Sequence, residues 1–413
     1  MRILLLTNQM DTPISRLGGA FNIPRLKALK NIGYDVTVIA LVGVTLPLRF
    51  LLPYPKLKLI VDFYRQVFDI PDYIVLDGIT VYYAKWFWLP RTLFWYHEVN
   101  LLHLSAGRKI ISIIKRIKPD VVFTSWLHPF ATYSKYLKKH FDFPIIGIIE
   151  GSDILVYPKK YRGMKRIALD INRYVDRLIC VSNGLKEEAE KYLSPSKIAV
   201  IPNGFNEEIF TFSKELVQRK IHNKFNIISV GSLSQVKGHD LLLMVAKELD
   251  ERFHFKIIGG GELMERYANY LNDNDLNERV ELVGEIDQRK VKNYLDQSSI
   301  YCQPSRSESF GIAVLEALAV GLPAVVSNVG GLPELISPGV NGFLFQCGSY
   351  KDLKEKLLLA VETNWDHSLI ADNVKKNYSW KMWAKRIDGI IKQTIEELAN
   401  KYQFSSTGRR ENF

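Results

Sequence analysis

One stretch in the second half of the chain constrains the fold more than any other. Residues 305–319 follow one short apolar run rich in β-forming residues and precede another. An Ala- and Leu-rich segment from Ile312 predicts a helix that begins near Gly311, and Gly321 followed by Pro323 would end it. The order strand, loop, helix, strand is typical of a parallel α/β sheet.

The predicted helix start is suited to a phosphate ligand. In open α/β sheets, ligands bind beyond the C-terminal ends of strands, where the N–H groups and dipole of a helix attract anions. Glu308 precedes the helix, and Glu316 lies about a turn and a half inside it. Their carboxylates could accept hydrogen bonds from sugar hydroxyls on either side of a bound diphosphate. Taken alone, two glutamates at this spacing favour an ordinary solvated helix face.

Further motifs accompany this pair, and together they resemble the group 1 family of retaining glycosyltransferases. Glu308 to Glu316 is similar to that family's E-x7-E motif, and residues 321–326, 330–334 and 341–344 also match the family. The resemblance implies the GT-B fold, in which two doubly wound, Rossmann-like α/β domains with parallel sheets face a cleft. It also implies transfer of a sugar from a nucleotide-diphosphate sugar to an acceptor hydroxyl, with retention of the anomeric configuration.

The resemblance assigns donor-binding residues to the second domain. Residues 231–238 are similar to the family pattern G-R-L-x-x-x-K-G, with Lys237 at the Lys position and Ser232 where the Arg would be. Lys237 and the helix start would meet the charge of the diphosphate. Glu308 would orient the donor sugar and Glu316 would bind the nucleoside ribose. The positions assigned to the helix start are Phe310, Gly311 and Ile312.

Four positions in the first half are further candidates. Gly19 lies in a Gly-Gly pair between the first predicted strand and helix, where it suits either a ligand or a tight turn. The resemblance assigns Asp153 a catalytic contact, because residues 150–153 are similar to the family's H-G-x-D or R-G-S-D. Glu150 stands at the His or Arg position and is assigned to the reacting sugar or the acceptor. His128 is a candidate acceptor contact near a strand end, with a packed core histidine as the alternative.

Positive charge is concentrated in the first half of the chain. The net charge is +11, and residues 1–205 hold 29 Lys and Arg against 16 Asp and Glu, a net of +13. Aromatic side chains are abundant in the same half, at 46–56 and 82–91. Rings beside cations are typical of surfaces that enter a lipid interface, so an anionic membrane surface is an expected partner. Core packing of a long insertion is the alternative. No nucleic-acid partner is expected, because no reader motif is present.

The length of 413 residues predicts two domains. We expect an acceptor-binding domain over 1–205 and a nucleotide-sugar-binding domain over 206–378. A C-terminal helix capped by Ser379 is predicted over 379–402, and the resemblance implies that it packs back on the first domain. The polar tail 403–413 is expected to be disordered.

The resemblance also implies the substrates. The donor is expected to be linked to UDP or GDP, and the acceptor to be a glycan or a lipid-linked glycan in cell-envelope polysaccharide synthesis. No cofactor and no metal ion is expected. Residues 273–275 have D-x-D spacing, but they lie in a polar connection and are typical of a solvated turn.

No apolar run is long enough for a signal peptide or a spanning helix, which predicts a cytoplasmic protein with peripheral contact at the inner face of the cell membrane. Two other functions stay open from the sequence. One is a nucleotide-sugar epimerase of the same fold, and the other is a membrane-associated, non-catalytic scaffold that binds glycans.

Overall fold

A computed structural model of the protein describes residues 1–10, 19–44, 65, 67–88, 95–212 and 224–407, with the backbone alone at 19–21 and 401–407. The chain divides into two compact units. Unit 1 contains Met1–Cys180, Lys186–Ile201 and Trp383–Phe413, and unit 2 contains Val181–Leu185 and Pro202–Met382. Unit 2 therefore takes a short piece of chain from within the predicted first domain.

Unit 1 is built on a sheet of eight described strands. They are β1 (Arg2–Thr7), β2 (Asp35–Val44), β3 (Tyr73–Leu76), β4 (Ile79–Phe87), β5 (Val121–Ser125), β6 (Ile145–Ile149), β7 (Arg177–Cys180) and β8 (Ile198–Val200). Their spatial order is β3-β4-β2-β1-β5-β6-β7-β8. Neighbouring strands run parallel except β3 and β4, which are antiparallel.

Helices cover the sheet of unit 1. They are α1 (Gly19–Asn31), α2 (Glu98–Ile117), α3 (Ser134–Leu137), α4 (Ser152–Leu155), α5 (Tyr157–Lys160), α6 (Met164–Tyr174) and α7 (Asn183–Glu190), the last of which begins in unit 2. All residues of β5 and β6 are buried, as continuous apolar runs in a parallel sheet require. Helix α2 packs one apolar face on the sheet through Val99, Leu102 and Ile110, which recur at helical spacing.

Unit 2 has a sheet of six described strands, all parallel. They are β9 (Phe225–Val230), β10 (Phe253–Ile258), β11 (Val280–Gly284), β12 (Ile300–Gln303), β13 (Ala324–Ser327) and β14 (Gly342–Phe345). Their order is β11-β10-β9-β12-β13-β14. The helices are α8 (His239–Glu248), α9 (Met264–Asp273), α10 (Gln288–Asp296), α11 (Ile312–Ala319), α12 (Tyr350–Glu362) and α13 (His367–Tyr378). The predicted order strand, loop, helix, strand is confirmed as β12, α11 and β13.

The last helix, α14 (Trp380–Thr407), begins where the sequence predicts. The Ser379 hydroxyl accepts a hydrogen bond from the Met382 N–H at 3.2 Å, as an N-cap does. Residues from Trp383 onward belong to unit 1. There the Glu397 carboxylate accepts hydrogen bonds from Arg177, and Asp388 accepts one from the Tyr34 hydroxyl at 2.6 Å.

This helix is longer than expected. Residues 403–407 are helical instead of disordered, and the residues beyond 407 lie outside the described part of the chain. The reason is that helix-favouring residues such as Glu396, Glu397 and Leu398 carry the helix to this end. The Gln393 amide also donates to Glu397 one turn later at 2.9 Å.

The aromatic segment of the first half is only partly described. Residues 46–56 lie outside the described ranges, so the interface predicted for them stays a prediction. Within β4, Tyr83 and Trp86 are buried in the core, as is the nearby Trp95, whereas Phe87 is half exposed. For the buried rings the structure therefore favours core packing. Within the described residues, no helix combines the length and the apolar composition needed to cross a bilayer.

Candidate active site

Two charged side chains meet where neighbouring strands of unit 2 end. Lys237 closes a short turn, Gln235–Lys237, in the loop after β9, and Glu308 lies in the loop after β12, the strand beside β9. The Lys237 ammonium donates to a Glu308 carboxylate oxygen at 2.6 Å, and both side chains are partly buried. The Ser305 hydroxyl reaches the same carboxylate at 3.4 Å. The structure thus brings together two residues that the sequence separates by 71 positions.

Helix α11 starts beside this pair without a side-chain cap. Gly311 precedes its first residue with a left-handed φ of 102°, and the first turn holds no acidic side chain. A Cβ on Gly311 would lie 2.6 Å from a Leu332 methyl group, so both backbone and packing require glycine here. The first N–H groups of a helix have no partner within it. They are the groups that an anionic ligand can use at this position.

Glu316 lies inside α11 and is buried, with a relative exposure of 7%. Burial raises the pKa of its carboxyl to about 8. The Gln288 amide lies at the limit of hydrogen bonding to it, at 3.5 Å. The solvated-face alternative is therefore wrong for Glu316. At neutral pH the group is largely protonated, so it can donate one hydrogen bond and accept others.

The glycine loops of unit 2 stack against one another. The Leu233 N–H donates to the Gly260 carbonyl at 2.8 Å, and the Gly259 N–H donates to the Gly284 carbonyl at 2.9 Å. Ser232, at the expected arginine position, is exposed, and its hydroxyl lies 3.2 Å from that of Ser234. The loop after β9 therefore presents short hydroxyl side chains where a guanidinium was expected.

Arg306 is a residue of this site that sequence reasoning missed. Its guanidinium makes two hydrogen bonds to the Asp240 carboxylate, at 2.7 and 2.6 Å, and a third to the Gln235 carbonyl at 3.0 Å. It thereby ties the loop after β12 to the turn that carries Lys237. In the sequence, its position two residues before Glu308 was the feature that pointed to a place in this site.

In unit 1, Asp153 is enclosed, with 2% relative exposure. Its carboxylate accepts hydrogen bonds from the N–H groups of Gly151 at 2.8 Å, Leu127 at 3.3 Å and Glu150 at 3.4 Å. Burial raises its pKa to about 6. The three backbone groups tie this carboxylate to the loops after β5 and β6, and its predicted catalytic contact stays a prediction.

Glu150 belongs to a polar group at the ends of β1, β5 and β6, which we term the strand-end cluster (Gln9, Arg25, Ser125 and Glu150). Its carboxylate accepts hydrogen bonds from the Arg25 guanidinium at 3.1 Å and from the Ser125 hydroxyl at 3.0 Å. Ser125 also lies 3.2 Å from the Gln9 side-chain oxygen. The cluster lies where the strand order reverses at β1, the place at which open α/β sheets bind ligands.

Arg25 pairs with Glu150 from the buried face of α1. Its relative exposure is 3%, and its second terminal nitrogen has no hydrogen-bond partner in the described chain. The sequence contained a feature that was missed: Arg25 lies on the same helix face as the buried Leu26 and Leu29, where a charged side chain is unusual. Position 150, where the family pattern has a histidine or an arginine, thus holds the Glu150 carboxylate, which pairs with the Arg25 guanidinium.

His128 is a packed histidine. It has 1% relative exposure, and its ring nitrogens lie 2.8 Å from the Thr132 hydroxyl and 2.7 Å from the Trp95 carbonyl. The structure therefore favours the alternative over a contact with the acceptor. Gly19 is the first residue of α1, and the loop before it lies outside the described residues.

Two family models match the chain in succession. Residues 26–209 match the model described as Glycosyltransferase Family 4, and residues 212–377 match the model described as Glycosyl transferases group 1. Together they include most of both units, without the first 25 residues and without α14.

Relatives of known sequence carry glycosyltransferase names. An uncharacterized glycosyltransferase of Methanocaldococcus jannaschii is 29% identical over 73% of this chain and 85% of its own length. An Escherichia coli UDP-Gal:alpha-D-GlcNAc-diphosphoundecaprenol alpha-1,3-galactosyltransferase is 32% identical over 54% of this chain and 61% of its own length.

Solved structures share the fold. Sucrose-phosphate synthase from Thermosynechococcus elongatus superposes with a TM-score of 0.75, 16% identity, and coverage of 96% of this chain and 100% of that one. HepE from Anabaena, in complex with UDP-glucose, gives a TM-score of 0.69 at 17% identity, over 95% of this chain and 100% of that one. The two Rossmann-like units thus have the α/β fold of the GT-B class.

Proposed function

Because the chain belongs to the group 1 glycosyltransferases, we propose that it moves a sugar from a nucleotide-diphosphate sugar to a hydroxyl of a glycan or lipid-linked acceptor, with retention of the anomeric configuration. Glycosyltransferase activity itself follows from the family. The observation that carries the finer proposal is the Lys237–Glu308 pair beside the uncapped start of α11.

We assign the donor diphosphate to the start of α11. In the reaction, the bond between the anomeric carbon and a diphosphate oxygen breaks, the acceptor oxygen forms the new bond to that carbon, and the hydroxyl proton passes to the leaving diphosphate. Negative charge then grows on the leaving diphosphate. We propose that the Lys237 ammonium and the N–H groups at Phe310, Gly311 and Ile312 stabilise that charge, since electrostatic catalysis is most effective where charge develops. No metal ion or other cofactor is required in this proposal.

Glu308 and Glu316 take different roles, because their surroundings differ. The Glu308 carboxylate shares a hydrogen bond with Lys237, so it can hold that ammonium towards the diphosphate while accepting from a sugar hydroxyl. Glu316 lies deeper and is largely protonated at neutral pH. We propose that it exchanges hydrogen bonds with the ribose hydroxyls of the nucleotide.

In unit 1 we assign Glu150 to the acceptor or the reacting sugar, and Gly19, the first residue of α1, to the donor. Arg25 and Ser125 hold the Glu150 carboxylate in place, and Asp153 fixes the loop that carries it. A carboxylate in this setting can accept a hydrogen bond from the attacking hydroxyl.

We propose a UDP-linked donor before a GDP-linked one, because a relative and a structural neighbour carry UDP sugars in their names. The relative's name also supports a lipid-linked acceptor in cell-envelope glycan synthesis. We therefore place the protein in the cytoplasm, at the inner face of the membrane.

The test is a ligand panel. The melting temperature is measured with UDP, GDP, ADP and CMP, because a ligand that binds only the folded state stabilises it. We expect UDP at 100 times its dissociation constant to add about 2.7 kcal/mol to the unfolding free energy. Equal responses to all four nucleotides, or none, would contradict the donor site.

A further inference from the structure

A cavity of about 690 Å³ lies in unit 1, in a part of the surface that the roles above do not use. Residues 158–166 line it together with Tyr96 and His97. We call it the basic pocket, because five exposed cations belong to its lining: Lys159, Lys160, Arg162, Lys165 and Arg166.

Among the residues that the structure describes, none of these five cations forms an ion pair with a carboxylate. Residues 157–166 contain no Asp or Glu, and no ion pair links the five to any carboxylate of the described residues. The charged groups of Lys160 and Arg166 lie over aromatic rings, each 5.6 Å from a ring centre, that of Tyr161 for Lys160 and that of Tyr96 for Arg166. Asp170, farther along α6, is bound by the Lys135 ammonium at 3.3 Å. The pocket therefore concentrates uncompensated positive charge, which attracts anions.

A helix start lies in the same wall and favours the same ligand. Gly163 precedes α6 with a left-handed φ of 114°, and neither a side-chain cap nor an acidic residue serves the first turn. Lys165 and Arg166 stand in that turn, where the helix dipole disfavours cations. An anion in the pocket would satisfy the free N–H groups and offset the repulsion at once.

A line of aromatic rings leads from the basic pocket to the strand-end cluster. The Tyr161 ring lies 5.8 Å from that of Tyr157, which lies 5.5 Å from that of Trp126, and all three side chains are partly exposed. Trp126 directly follows Ser125 of the cluster. Aromatic walls with polar tips are suited to sugar rings. The wall therefore connects the proposed place of the acceptor hydroxyl with the cationic pocket.

We propose that the basic pocket binds the diphosphate of a lipid-linked acceptor, whose sugar lies along the aromatic wall with its hydroxyl at the strand-end cluster. This inference rests on the proposed function and adds the place in unit 1 at which the diphosphate of the acceptor binds. The lipid source is favoured because Val156 and Leu169, on either side of the basic segment, are 41% and 69% exposed. Apolar side chains beside cations suit a membrane surface better than a free anion.

The experiment measures binding of the full chain to vesicles. The probes are phosphatidylcholine vesicles with a polyprenyl diphosphate, phosphatidylglycerol vesicles of equal surface charge, and inorganic pyrophosphate. The test variant is Arg162→Gln with Lys165→Gln. The control is Arg289→Gln with Lys290→Gln, an exposed Arg and Lys on α10 of unit 2 that remove the same charge.

We expect the wild type to prefer the polyprenyl diphosphate vesicles. The test variant should lose about twenty-five-fold in that affinity, about five-fold for each cation near an anionic surface, and the control should keep it. Equal binding to both kinds of vesicle, equal losses in both variants, or equally tight binding of free pyrophosphate would overturn the proposal.

The UDP-induced melting shift is recorded on the same three proteins. Its absence in all of them would contradict the donor site while leaving the vesicle result intact. The two proposals can therefore fail separately.

Discussion

The effect of Lys237→Ala on catalysis can be separated from its effect on stability, because unit 2 contains a second ion pair of nearly the same geometry that serves as a control. Lys292 and Asp296 of α10 lie 2.6 Å apart, with side-chain exposures of 21% and 13%, against 2.6 Å, 26% and 13% for Lys237 and Glu308. Truncation of either lysine therefore removes a comparable, partly screened ion pair, which contributes about 1 kcal/mol at most to the unfolding free energy.

Lys237→Ala and Lys292→Ala should have similar effects on stability and different effects on turnover. For a unit of this size, a loss of about 1 kcal/mol lowers the melting temperature by about 2–4 °C, and both variants should show it. Lys237→Ala should also lower kcat by about 10²–10³, because it removes a group that stabilises charge in the transition state. Lys292→Ala should keep wild-type turnover.

The assay measures kcat for sugar transfer, the melting temperature, and the UDP dissociation constant for the wild type and both variants. If Lys237→Ala kept wild-type kcat, or if Lys292→Ala lost as much, the role of Lys237 would be refuted. A loss of UDP affinity without a change in kcat would instead assign Lys237 to ground-state binding.

Three further outcomes are expected. Because the pKa of Glu316 is raised, the folded state holds this proton more tightly than the unfolded chain does. Its contribution to the unfolding free energy is therefore fully present below about pH 4 and is lost as the pH rises to about 8, by at most about 1.4 kcal/mol per pH unit. Denaturant titration at several pH values should show that the unfolding free energy of Glu316→Gln depends less on pH. Arg25→Met should destabilise unit 1 more than the double variant Arg25→Met with Glu150→Gln, because the single change leaves the Glu150 carboxylate unpaired. Equal losses of unfolding free energy in chemical denaturation would contradict this. Gly330→Ala should cost more stability and more turnover than Gly339→Ala. Both glycines have a positive φ, but an added Cβ at Gly330 would clash with the Glu308 carbonyl, whereas one at Gly339 would meet no atom within 4 Å. Equal melting temperatures of the two variants would rule this out.

The sequence predicted the parts of the fold and site that depend on local patterns. The segment β12–α11–β13 was readable because apolar runs, glycine and proline mark its ends within one stretch of chain. Lys237 and Glu308 were assigned separately through the resemblance to a family. Their ion pair then follows from β9 and β12 being neighbours in the sheet.

What the sequence did not predict depends on distant parts of the chain. Gln9, Arg25, Ser125 and Glu150 meet only because β1, β5 and β6 are adjacent, and strand order is not written in any one of those segments. The burial of Glu316 was missed for a similar reason: it depends on what packs over α11, and helical spacing alone is also compatible with a solvated face.

The division of the chain has a consequence for protein engineering. Five segments make up the two units, so the polypeptide changes unit at four junctions. Within unit 2, the segment Val181–Leu185 is fixed by the Ser182 hydroxyl, which donates to the Ser309 carbonyl at 2.6 Å, and by Glu334, which accepts from the Gly184 N–H at 3.1 Å. A single cut near residue 205 would therefore yield a first fragment that lacks the part of α14 belonging to unit 1, and a second fragment that lacks this segment. Independent production of either unit calls for a rewired chain, in which these pieces are joined by new linkers.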